Sequence, residues 1–207
     1  MEKKLKNLIF DVGGVLIGFR WRDMLTDYGF SDEQIEHFSS CIFADPFWKE
    51  FDLENLSFRE VVEEYARRYP DLATDIRWFF EHAELMAVPR PAVWEELRLL
   101  KMAGYRLYLL SNYGSVLFEK HTKGAAFHQY LDGGVISWQI HAIKPHRAIY
   151  RELLSRYGLD PEECLFFDDL EENVEGARRA GIPARRVYSE EDLLSFLRAL
   201  RQGNDSK

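Results

Sequence analysis

Asp11 ends an apolar run, Leu8-Ile9-Phe10, and is followed at once by Val12-Gly13-Gly14-Val15; far downstream, Phe166-Phe167 ends in the adjacent pair Asp168-Asp169. A carboxylate at the carboxyl end of a buried strand can ligate a cation or attack an electrophile, although aspartates also cap turns through local backbone hydrogen bonds. Two adjacent like charges behind an apolar strand repel, and desolvating them is costly unless a cation compensates. Mg²⁺ is the simplest remedy, since it prefers oxygen ligands and keeps places for water and phosphate oxygens. The competing reading is an exposed pair at a helix start, favoured by the helix dipole. Gly13 and Gly14 offer backbone groups to a phosphate with no Cβ in the way, or simply make a tight turn. Ser111-Asn112 after the run 106–110 offers a hydroxyl and amides to an oxyanion, and Lys144 before Pro145 can balance carboxylate and phosphoryl charge.

Such groups need strands to aim them. Short apolar or β-favouring runs at 7–10, 106–110, 135–137, 165–167 and 186–188 predict five buried strands. Helical patterns lie between them. Pro91 suits a first helical position, Val93, Leu97 and Leu100 share a face, and Gly104 can terminate the helix. Ile149, Leu153, Leu154 and Tyr157 predict a second helix ending at Gly158, 173–180 a third ending at Gly181, and Ser189 with Asp192 a capping box before a last helix at 193–200. The alternation predicts an α/β fold: a three-layer, doubly wound parallel sheet with helices on both faces, binding its ligand beyond the carboxyl ends of the strands. Residues 18–88 break this rhythm with an aromatic-rich series of amphipathic helical patterns. They are read as an inserted, all-helical cap, with 1–17 and 89–207 as the core.

The formal charge of −8 opposes a broad basic surface, so nucleic acid is not expected as a partner. Arginines 178, 179, 185 and 186 then read as a solvated face. No apolar stretch is long enough for a signal or a membrane span. Cys41 and Cys164 have neither framework nor ligand spacing, which points to reduced thiols and a cytoplasmic location. The six histidines lack zinc-site spacing and read as core or surface groups. Arg20, Trp21 and Arg22, or Phe47 and Trp48, could line a pocket, but a helix start and a buried aromatic cluster explain them more simply.

In order, Phe10-Asp11-Val12-Gly13-Gly14-Val15, Leu110-Ser111-Asn112, Ile143-Lys144-Pro145, and Phe166-Phe167-Asp168-Asp169 with Asn173 resemble the four motifs of the haloacid dehalogenase-like (HAD) hydrolase superfamily. The resemblance is to small phosphatases with a helical cap after the first motif, including sugar-phosphate phosphatases. It implies a Rossmann-like core and a Mg²⁺-dependent hydrolysis of a small phosphorylated metabolite through an aspartyl-phosphate on Asp11. It further implies that Asp11, Asp169 and the Gly13 carbonyl hold Mg²⁺, with Asp168 as an outer partner. Ser111 and the Asn112 backbone would hold the phosphoryl group beside the Gly13-Gly14 loop, and Lys144 would neutralise charge. The pattern departs from the family at Gly13, where phosphatases usually carry a general acid-base aspartate worth roughly 10²–10⁴-fold in rate. Two alternatives follow: a 2-haloacid dehalogenase-type hydrolase, which needs no such acid, and a low-turnover phosphate-binding or regulatory protein. The oligomeric state is not legible.

Overall fold

Strand β1 (Asn7–Phe10) is buried along its length, with Leu8 and Phe10 in one apolar cluster and Ile9 in another, the two-residue period of a strand covered on both faces. The computed structural model describes residues 4–205. After β1 the chain makes a short strand β2 (Ile17–Phe19) and then helices α1 (Trp21–Tyr28), α2 (Asp32–Ile42), α3 (Lys49–Leu53), α4 (Phe58–Arg68) and α5 (Ala73–Glu81). Ser31 and Ser57 close capping boxes at the starts of α2 and α4. Strand β3 (Ala87–Pro89) returns antiparallel to β2, so the helical segment leaves and re-enters through a two-stranded ribbon. The boundaries read at 17/18 and 88/89 fall inside that ribbon.

The remainder alternates: α6 (Pro91–Met102), β4 (Arg106–Ser111), α7 (Ser115–Thr122), β5 (Gly133–Ile136), α8 (Arg147–Tyr157), β6 (Cys164–Asp168), α9 (Glu171–Arg179), β7 (Ala184–Arg186) and α10 (Glu190–Asp205). The parallel sheet runs β5-β4-β1-β6-β7. This is the predicted α/β fold in doubly wound order, and the winding reverses between β1 and β6. Helix residues Leu97, Leu100, Leu193 and Leu197 cover one face of the sheet with Leu8 and Phe10; Ile149, Tyr150, Leu153 and Ala177 cover the other with Ile9 and Phe166. Among the described residues no helix is long and apolar enough to cross a membrane.

Several edges differ from the reading. β5 begins two residues early, at Gly133, and ends at Ile136; a Cβ on Gly134 would lie 2.7 Å from the Leu109 Cβ, so a glycine is what this close pairing requires. Ser137 instead starts a 3-10 turn. β7 is Ala184–Arg186 rather than 186–188, although the Val187 amide still donates to the Asp168 carbonyl at 2.9 Å. In α8 it is Tyr150, rather than Leu154 or Tyr157, that joins Ile149 and Leu153 in full burial. Helix α7 went unread because it lacks a side-chain cap and a clear apolar stripe.

Candidate active site

β1 and β6, side by side at the reversal, deliver Asp11, Asp168 and Asp169 to one place. A carboxylate oxygen from each lies within 4.8 Å of the others. The Asp11 amide donates to the Phe167 carbonyl at 2.9 Å, which extends the sheet pairing one residue and fixes the departure of the loop. Asp11 Oδ1 accepts from the Val12 amide (2.7 Å), Ser111 Oγ (2.5 Å) and Lys144 Nζ (2.9 Å). Among the described residues Oδ2 has no donor.

Lys144 is buried between two acids: its Nζ is also 2.6 Å from Asp168 Oδ2. Its position comes from Asn112, whose Oδ1 accepts from the Lys144 amide (2.8 Å) and whose Nδ2 donates to the Lys144 carbonyl (3.0 Å). The remaining capacity of Asp168 goes to the Leu170 amide (2.9 Å) and to Asn173 Nδ2 (3.1 and 3.2 Å). Asp168 is therefore saturated by protein donors. Asp169 is not, and makes no ion pair within 4 Å among the described residues.

The loop after Asp11 is held from outside the sheet. Arg90, just past β3, donates through Nη1 to the carbonyls of Gly14 (2.6 Å) and Val15 (2.9 Å), and Trp94 Nε1 donates to Leu16 O (2.7 Å). Gly14 has φ +69°, and a Cβ there would lie 2.5 Å from Asp169 Oδ2. The missing side chain is what lets the Asp169 carboxylate turn toward this loop.

Three carboxylates thus cluster where one ammonium group contacts only two of them, Asp11 and Asp168. Burial pushes the Asp11 carboxyl above the usual range, Lys144 pulls it back and Asp168 adds to the push. Asp169 is raised as well, by burial and then by Asp168. Burial alone would lower Lys144, but Asp11 and Asp168 outweigh it and hold the ammonium charged. A close-set group of oxygen donors with too little positive charge suits a hard dication such as Mg²⁺.

A cleft of about 660 Å³ opens over this group. Its floor includes Asp11, Gly13, Asn112, Lys144 and Asp169; its opposite wall comes from the helical segment, with Trp21, Phe43, Trp48 and Asp52. Ser111 and Asp168 are buried beneath the floor, and Gly14 is half-buried outside the cleft lining. Arg20 and Arg22 turn away, pairing with Asp27 and Glu36, and Phe47 packs on Tyr65 and under Arg68. Among the cleft residues that escaped the sequence reading are Phe19, Asp52, Tyr113 and His121. His121 accepts from the Tyr113 hydroxyl at Nδ1 (3.0 Å) and donates from Nε2 to the Ala83 carbonyl (3.1 Å), joining α7 to the helical segment. Burial lowers its imidazole to about 4. No spacing rule reveals such residues, because a lone histidine or a short acidic helix has no periodic signature.

Comparisons with known proteins give relatives in both sequence and fold. Phosphatase MT3486 of Mycobacterium tuberculosis (strain CDC 1551 / Oshkosh) is 29% identical over 197 residues, covering 87% of this chain and 86% of its own. The (S)-2-haloacid dehalogenase 4A of Burkholderia cepacia is 29% identical over 106 residues, covering 51% of this chain and 45% of its own. A HAD family enzyme of Bacteroides thetaiotaomicron, crystallised as a magnesium complex, superposes with a TM-score of 0.72 at 25% identity, over 95% of this chain and 100% of that one. The same enzyme is also known in complex with magnesium and inorganic phosphate. The family model of haloacid dehalogenase-like hydrolases matches residues 5–181. With its strand order and its acidic strand ends accounted for in this way, the chain belongs to the haloacid dehalogenase-like hydrolases.

Proposed function

We propose that the protein is a Mg²⁺-dependent phosphatase that hydrolyses a small phosphorylated metabolite, in the class of sugar phosphates, through an aspartyl-phosphate on Asp11. The observation that carries this reading is the undercompensated cluster of Asp11, Asp168 and Asp169 at the foot of the cleft, where Lys144 pairs with only the first two. The Mycobacterium phosphatase and the magnesium- and phosphate-bound Bacteroides enzyme support it. Asp11, Asp169 and the Gly13 carbonyl would hold the ion, with saturated Asp168 keeping Lys144 in place. When bound, Mg²⁺ would supply positive charge for the phosphoryl oxygens.

This chain's own groups do the rest. Ser111 and the Val12 amide hold the Asp11 carboxylate in one orientation, which favours attack on phosphorus. Lys144 offsets charge on Asp11 and on the transferring group. Gly13 and the Asn112 backbone, which line the cleft, serve the phosphoryl group, while Ser111 acts through Asp11 and Gly14 by making room for Asp169. Residues 1–17 and 89–207 act as the catalytic core and 18–88 as a cap that closes the cleft and sets specificity. Two free, buried cysteines support a reducing, cytoplasmic setting.

The test is phosphate release from a panel of phosphomonoesters with and without Mg²⁺. Wild type is expected to turn over only with the ion, and Asp11→Asn to lose at least about 10³-fold in kcat with an unchanged melting temperature. Unchanged activity in that variant would remove Asp11 as nucleophile. A second reading, displacement of halide by Asp11, draws on the dehalogenase relative and on Gly13. Halide release from 2-haloacids without metal would favour it; retention of three clustered carboxylates speaks against it, because a dehalogenase gains nothing from their mutual repulsion.

A further inference from the structure

Gly13 leaves the leaving-group oxygen without the usual proton donor, and a neighbouring ring lies close to where a side chain would begin. The Phe19 ring stands in its place: a Cβ on Gly13 would lie 2.9 Å from Phe19 Cε2. An acid must come from elsewhere on the cleft wall. Four carboxylates line the cleft, of which Asp11 and Asp169 belong to the floor cluster and Glu172 is exposed at the start of α9. The fourth is Asp52, partly buried on the opposite wall. Among the described residues its carboxylate has no hydrogen bond or ion pair.

Its backbone, by contrast, is clamped. Ser137 Oγ, at the end of β5, donates to the Asp52 carbonyl at 2.6 Å and accepts from the Tyr113 amide at 2.9 Å. His141 Nδ1 is 2.8 Å from the Leu53 carbonyl, and Glu54 bonds the Ser115 hydroxyl. Thus α3 is tied to the loops after both β4 and β5, the same loops that carry Asn112 and Lys144. An unpaired carboxyl is held over the floor on a fixed mount.

We propose that Asp52 is the general acid and base of the hydrolysis, a catalytic role delivered by the helical segment instead of by position 13. This deepens the phosphatase reading and rests on it. In the first step an Asp11 oxygen bonds to phosphorus while the bond from phosphorus to the leaving oxygen breaks. The electron pair goes to that oxygen, which takes the Asp52 proton and departs as an alcohol. In the second step a water oxygen bonds to phosphorus, the Asp52 carboxylate takes a water proton, and the bond from phosphorus to Asp11 breaks. Free phosphate leaves, and both side chains return to their starting states. The electrostatics suit the part: burial raises the Asp52 carboxyl to about 7, Lys144 pulling it down and Asp11 pushing it up. A group titrating near neutrality can both give and take a proton.

The experiment compares wild type, Asp11→Asn, Asp52→Asn and Asp52→Glu on phosphomonoesters whose leaving groups run from acidic phenols to alkyl alcohols, with Mg²⁺ present. Asp52→Asn is expected to lose about 10²–10⁴-fold in kcat on alkyl esters and far less on esters of acidic phenols, so that the dependence of rate on leaving-group pKa steepens. Asp52→Glu should recover part of the loss. A uniform loss across leaving groups, or a rise in KM with kcat kept, would overturn the assignment while Asp11→Asn still reports on the phosphatase reading. Wild type inert on every ester would overturn both. Melting temperatures check folding, and Asp52→Ser replaces Asp52→Asn if the latter does not fold, with the same outcomes decisive.

Discussion

Single atoms decide much at the floor of the cleft, and Gly14 is the clearest case. Its φ of +69° and the 2.5 Å from a would-be Cβ to Asp169 Oδ2 act together. Gly14→Ala is expected to lose roughly 1–2 kcal/mol of stability from the left-handed backbone alone. It should also swing Asp169 away, so that kcat falls at least about tenfold and the rise in melting temperature on adding Mg²⁺ shrinks. Gly29→Ala is the matched control: its φ is +105° but nothing lies within 4 Å of the added Cβ. It should show the stability loss without the change in Mg²⁺ response. Equal responses in the two variants would mean that the space beside Asp169 is not what Gly14 provides. The motif residues stood out at this scale because acids and glycines followed strand-like runs and a lysine preceded a helical pattern. Asp52 did not, because the five residues Lys49-Glu50-Phe51-Asp52-Leu53 are too few to show a helical period, and only tertiary contacts choose which of their acids faces the cleft.

At the scale of elements, the strands were legible wherever the chain was apolar on both faces, as in β1, β4 and β6. They blurred at β5 and β7, where Gly133-Gly134 and Arg185-Arg186 carry little β signal and pairing with a neighbour decides the edges. The placement of α3 was not legible at all. It depends on Phe51 burying its ring beside Phe80 and Tyr65, and on Gly114, where any Cβ would collide with the Phe51 carbonyl. Ser137 joins this mount to the core. Ser137→Ala would leave the Asp52 carbonyl and the Tyr113 amide without their partner, a loss of about 1–3 kcal/mol for buried groups. If α3 carries the acid, that variant should also slow alkyl esters more than esters of acidic phenols. Denaturant melts and the leaving-group series measure both; loss of stability with no change in that selectivity would separate the mount from catalysis.

Across the whole molecule, His121 couples stability to pH. In the folded chain it stays neutral to about 4, because it is buried; unfolded, it would take a proton near 6.5. Burial lowers its folded pKa by more than the hydrogen bond to the Ala83 carbonyl raises it, so its contribution is fully present above 6.5 and is lost as pH falls toward 4. The slope is about 1.4 kcal/mol per pH unit. The stability of wild type relative to His121→Gln should therefore decline between pH 6.5 and pH 4.5, as read from paired denaturation curves. A constant difference across that window would mean that the imidazole is protonated in the folded state.

The central place of β1 has a further consequence, for assembly. Asn7 pairs with Arg106 on one side and with Cys164 on the other. Leu8, Ile9 and Phe10 therefore have no lasting neighbours until about a hundred residues have been made for one flank and more than a hundred and fifty for the other. During synthesis this oily segment must wait, shielded or exposed, while the intervening helices form around it. Asp11, the proposed attacking group, sits at the end of the piece that waits longest. Its competence is thus among the last properties that the growing polypeptide acquires.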